Sequence, residues 1–254
     1  GALGGGVAVV GVGHAGHAHD AHDVENGFLG PEPHRRYSLE DQIEHKVRFL
    51  QSLPYQRIAL VGHSIGAYVC VELLKRHDIA GRVEKVVHLM PTIQNLADGL
   101  APGVSLLVQP FWTELAAWPL SLLPQRLVGA ILGFHLNAKN SEIVARHVNY
   151  HVATNILHMA YTETLAVREL TDDTIATIGT HLPKMSFFYS PTDPYTPPSV
   201  FERAQAEWPE GDIHISDPRI PHAFVLCDDS TQDVAQFVIE RVRPLLAAEE
   251  KEQE

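Results

Sequence analysis

The sequence predicts an α/β fold: a mostly parallel sheet with helices on both faces and a helical insertion in the middle. Three observations carry that expectation. Short apolar runs alternate with helix-period segments along the 254 residues. One such run passes into a helix through Gly62-His63-Ser64-Ile65-Gly66. An apolar, proline-broken stretch over residues 100–136 then interrupts the alternation.

Val7 to Val12 is a β-rich run bounded by glycines and reads as a buried strand. A loop rich in His, Asp, Gly and Pro follows to Tyr37. Ser38 offers a helix N-cap, Glu40 and Asp41 place negative charge in the first turn, and Leu39, Ile43, Val47 and Leu50 recur at helical spacing until Pro54 closes the helix. Arg57 to Val61 reads as a strand, Ala67 to Arg76 as a helix ending on a basic turn, and Val86 to Met90 as the next strand. From Ser141 to Ile178 the pattern is amphipathic and helical. Pro183 to Tyr189 and, more weakly, Asp212 to Ile215 return to strand, and Thr231 to Leu246 closes the fold as a helix. The expected organisation is therefore a first part of the core over 1–94, a helical insertion over 95–180, a second part of the core over 181–248, and a frayed charged tail over 249–254.

Hydrophobic residues make up 45% and charged residues 20%, a globular balance, and the length suits one large α/β domain. The net charge of −12 and the lack of a basic cluster argue against nucleic acid as a partner. Cys70 and Cys227 both lie in or beside apolar runs and read as two buried free thiols. No basic stretch precedes an apolar one at the N-terminus, so no signal peptide is expected there. Residue 1 is Gly rather than Met, which suggests a trimmed product or a start partway through a longer reading frame. Within 100–136 the only Asp, Glu, Lys or Arg residues are Glu114 and Arg126, and Pro102, Pro110, Pro119 and Pro124 leave no segment of the ~20 residues that spans a bilayer. Two readings of this stretch follow: a cap over an active site, or a hairpin lying in a lipid surface with Trp112 and Trp118 near the interface.

Strand, Gly-x-Ser-x-Gly and helix form the setting of a nucleophile elbow, with Ser64 at its tip. A serine hydroxyl needs a base to take its proton, and the base needs a carboxylate to fix its tautomer. Met185 to Tyr189 leads into Ser190-Pro191-Thr192-Asp193-Pro194, which places Asp193 just past a strand. The alternative role for Asp193 is to cap its own turn. Ile220-Pro221-His222-Ala223-Phe224 follows the Asp212–Ile215 strand and puts His222 within reach of both. His158, His181 and His214 read as helix or strand residues and are weaker candidates among the 16 histidines. The Ile65 amide supplies one oxyanion donor, and Gly11 to Gly16 is a weak candidate for the second. This chemistry needs no cofactor.

With these positions in place, the chain resembles the lipid droplet-associated hydrolase family of α/β-hydrolases. The matching residues run through most of its length: His14-Ala15-Gly16-His17-Ala18, Leu39 to Lys46, Gly62 to Tyr68, Met90-Pro91-Thr92-Ile93, Pro209 to Ile213, and Ile220 to Phe224. The resemblance implies a Ser64–His222–Asp193 triad acting on lipid or sterol esters at lipid droplets and the cytosolic face of the endoplasmic reticulum. It also implies a departure. The family carries a Gly-Asn-Pro-Gly segment after an earlier strand, and these residues begin at what looks like the following one. Losing an oxyanion donor lowers turnover roughly 10²- to 10³-fold, so a weak or inactive esterase is expected from these residues alone.

Two other classes compete. His14, His17, His19 and His22 with Asp20 and Asp23 resemble the metal motif of metallo-β-lactamase-type hydrolases, but Ala21 occupies the position where that motif needs Asp. A lipid-surface adaptor on a hydrolase fold, docked through residues 100–136, is the non-enzymatic alternative.

Overall fold

The structure, a computed structural model, describes residues 7–17, 35–100, 102–122 and 150–252. In chain order its helices are α1 (Leu39–Ser52), α2 (Ile65–Leu74), α3 (His77–Ala80), α4 (Pro102–Leu107), α5 (Pro110–Ala117), α6 (Tyr150–Ala166), α7 (Asp172–His181), α8 (Pro198–Glu207) and α9 (Asp228–Glu252). Its strands are β1 (Ile58–His63), β2 (Val83–Leu89), β3 (Met185–Tyr189) and β4 (Asp212–Ile215), paired in that order and all parallel. The α/β architecture is as the alternation predicts, and each strand leaves the sheet at the same edge.

The chain divides into two compact units, one of Gly1–Gly11, Leu50–Leu100 and Val167–Glu254, the other of Val12–Phe49 and Ala101–Ala166. The first holds the sheet. On one face Val87, Leu89 and Phe188 pack against Ile220, Phe224, Val234, Phe237 and Val242. On the other, the His88 ring stacks on Phe187 at 4.7 Å, and Phe187 in turn lies parallel to Trp208.

His88 is fully buried, and neither ring nitrogen has a hydrogen-bond partner among the described residues. Burial pushes its pKa from 6.5 down to about 3. The unfolded chain therefore binds a proton below pH 6.5 that the folded chain refuses until about pH 3, so stability falls as pH drops through that window. Between pH 7 and pH 5 the loss from this one group is expected to be about 2 kcal/mol. Urea unfolding at the two pH values checks it: His88→Phe is expected to shed that part of the pH dependence.

In the second unit, α1 starts as the sequence predicts. The Asp41 amide donates to Ser38 Oγ, and the Ser38 amide donates back to Asp41 Oδ2 at 2.9 Å, a reciprocal cap. One face of α1 clamps the turn after Gly13. Gln42 bonds both the amide and the carbonyl of Ala15, and Lys46 Nζ donates to Gly13 O and Gln42 Oε1. Elsewhere in the unit the Tyr37 amide donates to Asn155 Oδ1 of α6. The charge of Glu114 on α5 is met by Arg36 at 3.2 Å and by the Tyr150 hydroxyl.

Helix α5 and the 3₁₀ turn Trp118–Ser121 are inverted relative to an ordinary surface helix. Thr113 and Ala117 are buried, while Phe111, Leu115, Trp118 and Leu122 are 73%, 55%, 59% and 65% exposed. Their spacing of four, three and four residues sets them in one outward stripe.

Three expectations change. Val7 to Val12 is not a strand: these residues join no ladder among those described, and Val9 is 82% exposed. An apolar β-rich run supplies propensity, but a strand exists only through its hydrogen-bonded neighbour. Cys227 is exposed rather than buried, because the 3₁₀ turn Phe224–Leu226 brings it out at the start of α9; Cys70 is buried, and burial pushes its thiol up to about 12. Finally, α9 runs to Glu252 through the expected tail, since Ala, Glu and Lys are strong helix formers. Residues 18–34 and 123–149 lie outside the described residues, and with them part of the His-rich run, the second half of the 100–136 stretch and the start of the Ser141–Ile178 helical pattern.

Candidate active site

Ser64, Asp193 and His222 come from three loops at the carboxyl ends of parallel strands, where the chain must turn and side chains converge above the sheet. Ser64 follows β1 directly, with φ 54° and ψ −124°. A non-glycine residue held there costs about 1–3 kcal/mol, and surrounding bonds enforce it. The Ser64 amide donates to Leu89 O on β2 at 2.9 Å, and the Ser64 carbonyl accepts from the amides of Ala67 and Thr92. An N-cap serine ordinarily turns its hydroxyl onto its own helix. Here the cap bond is absent and the hydroxyl is left for another partner.

The two elbow glycines differ. A Cβ on Gly62 would sit 2.4 Å from the Gly66 carbonyl oxygen, a clash with backbone, whereas a Cβ on Gly66 meets nothing within 4 Å. Gly62→Ala is therefore expected to destabilise the fold by about 1–3 kcal/mol. Gly66→Ala, on a helix, is expected to be neutral or stabilising by up to about 1 kcal/mol. Denaturant midpoints of the two variants check the contrast.

Asp193 is buried, and its two oxygens divide the two roles open to it. Oδ1 caps its own turn, accepting from the amides of Tyr195 (2.8 Å) and Thr196 (3.3 Å). Oδ2 accepts from Thr196 Oγ1 at 2.8 Å and faces His222 Nδ1 at 2.6 Å. Burial alone would push this carboxyl up. The hydrogen bond and charge of His222, then Thr196 Oγ1 and the Tyr195 amide, outweigh burial and hold it below the usual carboxylate range. The loop is also fixed from behind, since a Cβ on Gly99 would lie 2.7 Å from Pro194 O and from Tyr195 Cα.

His222 uses its other nitrogen on the serine, with Nε2 2.9 Å from Ser64 Oγ. Two buried apolar residues, Ile220 and Phe224, anchor the loop on either side, and Ser190 Oγ donates to Ile220 O at 2.6 Å. The Tyr195 ring lies 4.8 Å from the imidazole. The Ile65 amide heads α2, among the first-turn N–H groups that have no intrahelical acceptor and sit at the positive end of the helix dipole.

The structure thus brings Ser64, Asp193 and His222 into one hydrogen-bonded line with Ile65 beside it. It leaves the weaker candidates elsewhere: His158 on α6, His181 at the end of α7, and His214 on β4, bonded to Asp212 and Arg241. Of the Gly11–Gly16 amides, that of Ala15 is taken by Gln42 Oε1. Sequence reasoning missed Thr196, although an Asp followed three residues later by Thr is the signal of a self-capped turn.

The His-rich run is described only at its start. The His14 and His17 rings lie 5.3 Å apart, and Lys46 Nζ is 3.5 Å from His14 Nδ1. Burial and the Lys46 charge push His14 to about 3 and His17 to about 4. A lysine ammonium against the ring nitrogen opposes a cation, and among the described residues there is no cluster of three potential metal ligands.

Parallel sheet, strained serine turn and acid and base loops at one edge make this an α/β-hydrolase fold. Its likeness to a haloalkane dehalogenase of Agrobacterium tumefaciens bears this out, at a TM-score of 0.60 over 85% of this chain and 75% of that one, with 15% identity. By sequence the chain belongs to the lipid-droplet associated hydrolase family, whose pattern it matches over residues 2–225. The lipid droplet-associated hydrolase of Dictyostelium discoideum is 34% identical over 227 residues, covering 84% of this chain and 74% of that one. The human protein of that name is 27% identical over 220 residues, covering 82% of this chain and 65% of its own length, so the chain spans less than two thirds of the human relative.

Proposed function

We propose that the protein is a serine hydrolase of carboxylic esters, acting on lipid or sterol esters through an acyl-enzyme. One observation carries the reading: a single imidazole 2.9 Å from Ser64 Oγ and 2.6 Å from a buried carboxylate. His222 Nε2 takes the Ser64 proton as Oγ attacks the acyl carbonyl. Asp193 holds Nδ1–H and balances the imidazolium. The Ile65 amide donates to the oxyanion, and His222 then returns the proton to the leaving alcohol. Water activated by the same imidazole clears the acyl group and restores the serine.

The surface partner in this reading is a lipid droplet, or the cytosolic face of the endoplasmic reticulum, met through residues 100–136. The stripe Phe111, Leu115, Trp118 and Leu122 supports it, because the one charge from 102 to 122, Glu114, is paired with Arg36. A face without net charge on a chain of −12 fits a neutral or zwitterionic lipid surface better than an anionic one. Replacing Phe111, Leu115 and Trp118 together by Ser is expected to lower flotation with phosphatidylcholine-coated triglyceride droplets at least tenfold, with short-ester activity kept. Undiminished flotation counts against this surface.

The exposed stripe also favours a second reading, an adaptor docked on lipid without turnover. Assays of p-nitrophenyl butyrate with wild type and Ser64→Ala at high protein concentration, with and without a chelator, separate the two. Chelator-resistant turnover lost with Ser64 supports the hydrolase. Equal flotation with no turnover in either protein supports the adaptor.

A further inference from the structure

His63, the residue before the nucleophile, has no part in the proposed reaction, yet its side chain reaches the loop that carries the base. Nε2 lies 2.8 Å from the backbone carbonyl oxygen of His222. A carbonyl only accepts, so Nε2 carries the hydrogen and donates it. The His63 ring lies 5.1 Å from the His222 ring and meets Phe224 edge-on at 5.0 Å.

The consequence lies in what is left to hold His222. Both of its ring nitrogens are engaged, Nδ1 by Asp193 and Nε2 by Ser64, and the Ser64 contact must break and re-form in every cycle. The surrounding loop has no strand ladder to fix it, because β4 ends at Ile215 and regular structure resumes only at Phe224. The carbonyl of His222 is therefore the point at which the backbone of the base can be tied to the strand that carries the nucleophile. His63 makes that tie from the position next to Ser64.

We propose that His63 is a positioning residue that, by donating Nε2–H to the His222 carbonyl, locks the base loop to the nucleophile strand and aligns the His222 imidazole on Ser64. The inference rests on the reading of His222 as the base. A neutral imidazole suits the role, since a second cation would oppose the imidazolium formed on His222. Burial first, and then the charge of His222, push His63 below its ordinary value against the His222 carbonyl bond and the Asp193 charge, which raise it. The charged or titratable neighbours shaping that balance are His222 and Asp193, and the Phe224 side of the ring is apolar.

Two variants test it. His63→Phe keeps a ring against Phe224 but removes the donor; His63→Gln keeps an amide donor and cannot titrate. Each is compared with wild type by kcat and KM on p-nitrophenyl butyrate. Proton NMR adds the low-field signal of His222 Nδ1–H, which reports alignment on Asp193 without turnover, and thermal unfolding checks the fold. The expected result is a kcat lowered about 10- to 100-fold in His63→Phe with KM within about twofold. The low-field signal should be broadened or lost in that variant, and both readouts should be largely restored in His63→Gln. A His63→Phe protein that keeps the signal and wild-type kcat overturns the proposal, and so does a folded His63→Gln as impaired as His63→Phe. If wild type turns over no ester but shows a signal that His63→Phe loses, the positioning role stands and the hydrolase reading falls. If wild type shows no such signal, the positioning role falls.

Discussion

Ser64→Ala is expected to abolish ester turnover while leaving the fold intact. In a fully assembled site, removing the nucleophile lowers turnover by about 10⁶-fold, read in practice as a fall to background. The fold should tolerate the change because the hydroxyl neither caps α2 nor packs in the core. The bonds that hold the elbow are made by the Ser64 amide and carbonyl, to Leu89, Ala67 and Thr92, and alanine keeps them all. Only the contact with His222 Nε2 is lost. Turnover of p-nitrophenyl butyrate and a denaturant midpoint check the two halves together. A variant that unfolds early, or one that retains activity, would break the link between this turn and the chemistry.

Asp193→Asn is the second large effect, about 10⁴-fold in kcat with little loss of stability. The division of labour within the carboxylate explains the combination. An asparagine oxygen in place of Oδ1 still accepts from the amides of Tyr195 and Thr196, so the acid loop keeps its shape. An amide nitrogen in place of Oδ2 donates where the carboxylate accepted. His222 Nδ1 must then become the acceptor and its hydrogen moves to Nε2, which leaves no lone pair for the Ser64 proton. The variant also loses the charge that balances the imidazolium. Activity within tenfold of wild type would mean that Asp193 serves only as a turn cap.

Much of this arrangement is legible in the sequence because period and punctuation encode it. The apolar runs of β1 to β3 sit between helix-period segments, and Pro54 and the Ser38–Asp41 cap bound α1. The three site loops follow strands, which is where a parallel sheet needs its connections. What is not legible depends on partners distant in sequence. Val7 to Val12 has the composition of a strand, but composition does not reveal whether a neighbouring strand is there to pair with it. The stripe on α5 shows as an apolar period in either orientation. Only the burial of Thr113 and Ala117 tells which face turns outward. The bond from His63 to His222 joins residues 159 apart in sequence, and neither residue type announces it. The charged end of α9 reads as a tail by charge and as a helix by propensity, and propensity prevails as far as Glu252.

The most direct test of the account is covalent. A fluorophosphonate reacts with a serine whose proton a positioned base removes, so it reports the Ser64–His222–Asp193 line even where turnover is slow. Intact-mass analysis followed by peptide mapping is expected to show one adduct on Ser64, absent from His222→Ala and Asp193→Asn over the same exposure. No adduct after prolonged exposure, or an adduct on any other residue, would contradict the assignment of Ser64 as the nucleophile.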